Sequence, residues 1–169
     1  CPFCGLMPID SEFDPTREAY DHYLPKSRYP FNSVNLKNLA PSCNKCNSGC
    51  KRDQDPLYDK TGCRRKAFFP FSTSNANILF CLRITNRNWV SLSPEDIELE
   101  LSSGLHSEEI ETWKELYRIE QRYKAKCCIK GGGITWLNRV FNERQNYGLS
   151  IEAMVAAEMN SCDLEPWSN

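Results

Sequence analysis

The sequence predicts an α+β protein in which a short β-β-α unit, framed by two cysteine pairs, precedes a small antiparallel sheet and a helical C-terminal region. Two observations lead to this prediction. Cysteines in C-x-x-C spacing bracket the first third of the chain. After residue 70, apolar residues first alternate, as in strands, and from residue 107 they recur at helical spacing. We therefore expect two units, residues 1–70 and residues 71–169, that share one core.

The first unit takes its β-β-α order from two short apolar pieces and a polar stretch. Residues 20–25 have the character of a short strand, which ends at Pro25 because proline cannot donate to a strand ladder. A second piece, residues 38–41, runs into the second cysteine pair, and the two pieces can form a hairpin. Residues 47–60 are compatible with a helix, although Pro56 limits its length.

The second unit begins with a sheet and continues with helices. Residues 78–84 and 89–92, with a bend between them, and the alternating Ile97, Leu99 and Leu101 predict a small antiparallel sheet. The apolar stripes that follow predict packing surfaces between helices rather than cofactor sites. We expect these helices over residues 107–126, after the glycines at 131–133, and from Ser150.

The net charge of -1 hides a strong segregation of charge along the chain. Residues 22–70 hold ten basic and three acidic residues, whereas residues 95–169 hold eight basic and fourteen acidic ones. Such a basic block attracts phosphate, although it could equally be a solvated face, and the neutral total argues against tight autonomous binding of nucleic acid. No apolar run is long enough for a membrane span and no signal peptide is visible, so we expect a cytoplasmic protein without membrane contact.

The two cysteine pairs predict a structural zinc site. Cys1 and Cys4 form one C-x-x-C knuckle, and Cys43 and Cys46 form a second about 40 residues later. Four thiolates satisfy tetrahedral zinc, and the two-residue gap lets both sulfurs of a knuckle point at one ion. The alternative is two disulfides or reduced core thiols. We interpret the remaining cysteines as buried or free thiols.

Residues 21–47 also contain the groups that phosphodiester hydrolysis requires, namely a base and ligands for a cation. His22 and His106 are the two histidines of the chain, and His22 alone lies among candidate ligands. Asp21 precedes His22 directly, and neighbouring strand residues point to opposite faces, so the pair needs a bulge or a strand end to act together. Asp21 and one asparagine would suffice for Mg²⁺, which prefers oxygen ligands.

These residues form an ordered series of motifs. The chain reads Cys-Pro-Phe-Cys-Gly at residues 1–5, Asp-His-Tyr-Leu-Pro-Lys-Ser at residues 21–27 and Asn-Leu-Ala-Pro-Ser-Cys-Asn-Lys-Cys-Asn at residues 38–47, followed by Lys51. This series covers roughly the first third of the chain and resembles the HNH (ββα-metal) nucleases, in the branch whose structural zinc is held by two C-x-x-C knuckles. Asp-His alone would be a weak signal, but the ordered combination is specific.

The resemblance implies a role for each matching residue. His22 is the general base, Asp21 and Asn47 are ligands of a catalytic Mg²⁺ or Mn²⁺, and Asn38 braces the loop between the strands. Some members of the family carry histidine where Asn47 stands, and the amide oxygen favours a hard cation. We further predict phosphate contacts from a set of basic residues, with ordinary surface charge as the alternative; these are Lys26, Lys51, Arg64, Arg65 and Lys66.

The function that follows is that of an endonuclease that cleaves phosphodiester bonds. DNA is the favoured substrate, and RNA is the alternative because the chemistry reads only a phosphate. A looser resemblance links the motifs to HNH proteins encoded beside an ATPase in anti-phage systems such as Septu, which implies an ATPase partner and fits the neutral net charge. A rival from another class is a non-catalytic zinc module that binds nucleic acid or protein.

Overall fold

The computed structural model describes residues 1–11, 13–73, 76–86, 92–129 and 131–133, and the single residues 135, 138, 139, 142, 146, 148, 150 and 153. These residues form the predicted mixed α+β structure, with small antiparallel sheets and helices. Among the described helices, none combines the length and the apolar character needed to cross a membrane.

The first sheet is a two-stranded ribbon of minimal length. Strand β1 (Asp21–His22) pairs antiparallel with β2 (Leu39–Ala40), with Asp21 opposite Ala40 and His22 opposite Leu39. The Tyr23 N–H still donates to the Asn38 carbonyl at 2.8 Å, after which the chain reaches Pro25 and leaves the ladder. Residues 23–38 form the connecting loop, which contains two short 3₁₀ turns.

A π-helix, Lys45–Lys51, follows β2 and contains the second cysteine knuckle's last residue. Its widened turn is visible in the Arg52 N–H, which donates to the Asn47 carbonyl five residues earlier at 2.8 Å. The sequence predicted a helix within residues 47–60 that Pro56 would shorten, and the observed helix ends earlier still, at Lys51. Arg52 takes a positive φ of 57° and ends the helix. The chain beyond it contains the buried Asp55.

The second sheet is the predicted small antiparallel sheet. Strand β3 (Leu79–Ile84) pairs with β4 (Ile97–Ser102), so that Ile84 lies opposite Ile97. Strand β4 turns Ile97 and Leu101 into the core and leaves the glutamates between them exposed, as alternation requires. The predicted strand at 89–92 falls largely on residues 87–91, which lie outside the described residues.

Two helices replace the single helix predicted over residues 107–126. Helix α1 (Ser107–Tyr117) and helix α2 (Ile119–Cys128) are separated by Arg118, whose left-handed backbone (φ 51°, ψ 45°) breaks the helical hydrogen bonding. Farther on, the described residues 133, 135, 138, 139, 142, 146 and 153 are helical. The apolar residues that marked the second predicted helix lie outside the described residues.

One hydrophobic core joins residues of both predicted units. The N-terminal part contributes Phe3, Tyr23 and Ala40 together with the buried cysteines, and β4, α1 and α2 contribute the rest. The Phe3 ring stacks on Tyr117 of α1 with ring centroids 5.0 Å apart. The Trp113 indole N–H donates to the Phe3 carbonyl at 2.6 Å. These contacts hold the first cysteine knuckle against the helices.

Candidate functional site

The four cysteines of the two knuckles converge on one point. Their Sγ atoms all lie within 4.8 Å of one another, and the Cys4 and Cys43 sulfurs are 4.0 Å apart. Zinc bound by four sulfurs at about 2.3 Å places them roughly 3.8 Å apart, so the cluster could hold a metal ion such as zinc. Each of the nine described cysteines is free, and the alternative of two disulfides among the knuckles is therefore wrong.

Backbone turns at both knuckles aim the sulfurs inward. The Gly5 N–H donates to the Cys1 carbonyl at 3.0 Å, and the Asn47 N–H donates to the Cys43 carbonyl at the same distance. Gly5 has a φ of 60°, which residues other than glycine rarely adopt. A Cβ at this position would in addition lie 3.3 Å from the Tyr123 hydroxyl oxygen. The Cys43 N–H reaches the Cys1 sulfur at 3.4 Å, so the two knuckles also bond to each other.

Arg122 of α2 contacts the cluster directly, and no sequence pattern predicts this contact. Its guanidinium donates to the Cys46 sulfur at 3.2 Å and to the Tyr117 carbonyl at 3.1 Å. Burial lowers the pKa of Arg122, but the adjacent thiols outweigh burial and raise it, so the group stays charged. A fixed positive charge beside a thiolate stabilises the anionic form that metal binding requires.

The Cys4 and Cys46 thiols differ in their electrostatics. Burial favours a higher pKa for Cys4, yet hydrogen bonds from the backbone and Cys46, together with the Arg122 charge, lower it overall. For Cys46, burial wins over the Arg122 hydrogen bond and raises the pKa. A cation among the four sulfurs would hold both groups as thiolates.

Beside the cluster, a cleft of about 400 Å³ brings together several residues that the sequence singled out. Asp21 and His22 reach it from β1, and Asn47 reaches it from the π-helix. Because β1 ends at His22, the two neighbours can line the same cleft despite the alternation of a regular strand. Lys26 and Arg52 add positive charge to its rim.

His22 is fixed in one orientation. Its Nε2 lies 3.1 Å from the Ser33 carbonyl oxygen, in the loop that follows β1. A carbonyl can only accept a hydrogen bond, so Nε2 must carry the proton when this contact forms. In the neutral imidazole, Nδ1 then keeps its lone pair and is the basic atom of the ring.

Asp21 forms a buried ion pair with Lys51. The Lys51 ammonium donates to Asp21 Oδ1 at 2.9 Å and to the His22 carbonyl at 2.6 Å, and both side chains are at least 98% buried. Asp21 Oδ2 is buried without a hydrogen-bond partner among the described residues. Burial raises the pKa of Asp21, and Lys51 only partly offsets this. The predicted phosphate contact of Lys51 is thus wrong in this arrangement, because the π-helix turns the ammonium inward.

Asn38 and Asn47 use their amides differently. Asn38 is buried, and its Oδ1 accepts from the Leu24 N–H at 2.7 Å while Nδ2 donates to the Leu24 and Asn32 carbonyls, both at 3.1 Å. This side chain therefore ties together both ends of the loop between β1 and β2. Asn47 is half-buried and donates through Nδ2 to the Ala19 carbonyl at 3.2 Å. Its carboxamide oxygen is the atom suited to a cation.

The other predicted phosphate contacts divide into internal and exposed groups. Arg65 is 11% exposed and donates to Glu115 at 2.6 Å and to the Asp55 carbonyl at 2.8 Å, so its charge is used inside the fold and its predicted role is wrong. Lys66 is 69% exposed and lies 3.7 Å from a Glu108 oxygen. Both basic residues join the first unit to α1.

Lys26 and Arg64 are exposed, and Lys26 is the one of the two that lines the cleft. The Arg64 guanidinium lies 6.0 Å from the centre of the Tyr58 ring. Arg52, which the sequence reasoning did not select, also lines the cleft. Its position follows from the end of the π-helix, and the sequence shows only another basic residue beside Lys51.

Comparison with known proteins gives one local similarity. A segment of 51 residues is 45% identical to Protein ea31 of Escherichia phage lambda. The segment represents 30% of this chain but only 15% of that phage protein. No protein-family model matches the chain, and neither does a solved structure. The similarity is therefore local and carries no statement about activity.

Proposed function

We propose that this chain is a metal-dependent endonuclease of the HNH (ββα-metal) type that hydrolyses phosphodiester bonds in nucleic acid. The observation that carries the proposal is the cleft in which His22, with its Nε2 engaged by the Ser33 carbonyl, stands beside Asp21 and Asn47. A base with one fixed tautomer and two oxygen donors for a cation are the parts that this hydrolysis requires.

His22 supplies the base. Its Nδ1 takes a proton from water as the water attacks phosphorus, the P–O bond to the leaving sugar oxygen breaks, and that oxygen takes a proton from solvent. Nε2 keeps donating to the Ser33 carbonyl, which stabilises the imidazolium that forms. Asn38 keeps this carbonyl in place, because its amide bonds to the same loop at Asn32 and Leu24. Lys26 and Arg52 bind phosphate at the rim of the cleft.

Asp21 and Asn47 are suited to hold Mg²⁺ or Mn²⁺. A carboxylate oxygen buried without a partner is unfavourable, and a cation at Asp21 Oδ2 would offset that cost. Lys51 neutralises part of the carboxylate charge through Oδ1, which favours a weakly held cation over a tightly bound one. When bound, such a cation stabilises charge on the phosphate and on the leaving oxygen.

DNA is the proposed substrate, with RNA as the alternative. Because the net charge is only -1, we expect the chain not to bind nucleic acid strongly by itself. This feature agrees with an effector that is delivered by an ATPase partner in an anti-phage system. The alternative hypothesis is a non-catalytic zinc module, and it predicts that no activity of the chain depends on His22.

The experiment compares wild type, His22→Ala and the matched control His106→Ala for cleavage of plasmid DNA and total RNA with Mg²⁺ or Mn²⁺. His106 bonds to Glu109 at 3.3 Å and does not line the cleft. We expect His22→Ala to lower the cleavage rate by about 10²–10⁴-fold at unchanged zinc content, and His106→Ala to retain activity. Equal cleavage by wild type and His22→Ala would refute the assignment of the base. Binding without cleavage by all three proteins would favour the non-catalytic module.

A further inference from the structure

Three large apolar side chains project into solvent from the loop between β1 and β2. Phe31 is 98% exposed, Val34 83% and Leu36 80%. We call residues 31–36 the apolar loop. Single exposed apolar residues are common on proteins, but a cluster of three in six residues marks a contact surface.

The apolar loop is ordered by its own hydrogen bonds. The Ser33 hydroxyl donates to the Pro30 carbonyl at 2.7 Å, and the Asn35 amide donates to Asn32 Oδ1 at 2.8 Å. Asn35 Oδ1 also accepts from the Lys37 N–H at 3.0 Å, and it caps the second 3₁₀ turn. These hydrogen bonds fix the backbone between the apolar side chains. Binding of a partner would therefore cost less conformational entropy than it would at a flexible loop.

The surroundings of the apolar loop select its partner. Its Ser33 carbonyl contacts His22, so the loop borders the cleft, and Lys26 from the same connection lines that cleft. Residues 22–52 contain no acidic residue and six basic ones, of which all but the buried Lys51 are exposed. Exposed apolar side chains beside positively charged residues are complementary to nucleic acid, because its nucleobases have apolar faces and lie between rows of phosphates.

We propose that the apolar loop inserts between bases of the nucleic acid bound in the cleft, with Phe31 and Leu36 against base faces and Lys26 and Lys37 on the flanking phosphates. This inference rests on the proposed function and adds a substrate class to it. Insertion requires unstacking, which is easiest at bulges, mismatches and flexible steps. The chain therefore prefers nucleic acid with weakly stacked bases to a fully paired duplex.

The test uses short duplexes of DNA and of RNA, each made fully paired or with a single-base bulge, that carry 2-aminopurine beside the bulge position. Binding is followed by anisotropy in Ca²⁺ to suppress cleavage, and unstacking by the rise of 2-aminopurine fluorescence. The variant is Phe31→Ser combined with Leu36→Ser. The matched control is Leu105→Ser, because Leu105 is 89% exposed in the connection from β4 to α1.

We expect the double variant to bind the bulged duplex about tenfold more weakly and to lose both the fluorescence rise and the preference for the bulge. Leu105→Ser should behave as wild type. Wild-type binding and fluorescence in the double variant would overturn the inference while leaving the His22 result intact. Equal weakening on bulged and paired duplexes would also overturn it, because the loop would then contact only the backbone. Failure of wild type to bind or cut any nucleic acid would overturn both proposals.

Discussion

Replacing Lys51 by methionine isolates the buried ion pair beneath the cleft. The ammonium is fully buried, 2.9 Å from Asp21 Oδ1 and 2.6 Å from the His22 carbonyl. Methionine keeps most of the volume but cannot donate, so the variant leaves the Asp21 carboxylate buried without a counter-charge. Removing one partner of such a pair lowers the free energy of unfolding by about 3–5 kcal/mol.

This cost depends on pH because the carboxyl group can be neutralised by a proton. Burial already raises the pKa of Asp21 and Lys51 opposes that, so loss of Lys51 raises this pKa further. An unfolded aspartate titrates at a pKa of about 3.9, and a folded state that retains the proton loses about 1.4 kcal/mol per pH unit above that value. Protonation of Asp21 thus limits the loss in the free energy of unfolding of the variant to about 4 kcal/mol at pH 7 and about 2 kcal/mol at pH 5.5. The lost hydrogen bond to His22 adds about 1 kcal/mol at either pH.

Urea unfolding at pH 7 and pH 5.5, with equal zinc and no added Mg²⁺, measures both values. The control is Lys124→Met, which removes an i,i+4 pair with Glu120 and should change stability by only about 0.5 kcal/mol. A second variant, Lys51→Met combined with Asp21→Asn, should recover stability and lose most of the pH dependence. A deficit for Lys51→Met that is the same at both pH values would refute the reasoning.

Three further outcomes follow from single contacts. Asn38→Ala leaves Leu24 and Asn32 backbone groups unpaired and should destabilise the protein by about 3 kcal/mol, whereas an effect under about 1 kcal/mol in urea unfolding would mean that water replaces the amide. Arg122→Leu should weaken zinc binding at Cys46 by about tenfold in a chelator competition, and unchanged affinity would count against a role for this charge. Arg118→Gly relieves a left-handed backbone and should raise the free energy of unfolding by up to about 1 kcal/mol; a lower melting temperature would contradict this.

Local patterns explain what could be predicted from the sequence. C-x-x-C spacing determines where both sulfurs of a knuckle can point, so Cys1, Cys4, Cys43 and Cys46 could be grouped before any fold was known. Alternation from Ile97 onward likewise identified β4, because the period of a strand is independent of its partner.

Features set by tertiary contacts could not be predicted. Arg118 is neither glycine nor proline, so helical spacing continues across the residue that separates α1 from α2. Lysine is almost never fully buried, which made an exposed Lys51 the better expectation. Arg122 reaches Cys46 from 76 residues away, and no local pattern encodes a contact at that separation.

The contacts of α1 and α2 with the first cysteine knuckle also affect the order in which the newly made chain can fold. Trp113 and Tyr123 bond to the carbonyls of Phe3 and Cys4, which are 110 and 119 residues earlier. At about 5–20 residues per second, the ribosome supplies Tyr123 roughly 6–24 seconds after Cys4. Until then the first knuckle lacks the helices that support it. The four cysteines are all made by residue 46, but the cluster gains the support of Trp113 and Tyr123 only after α2 has been made.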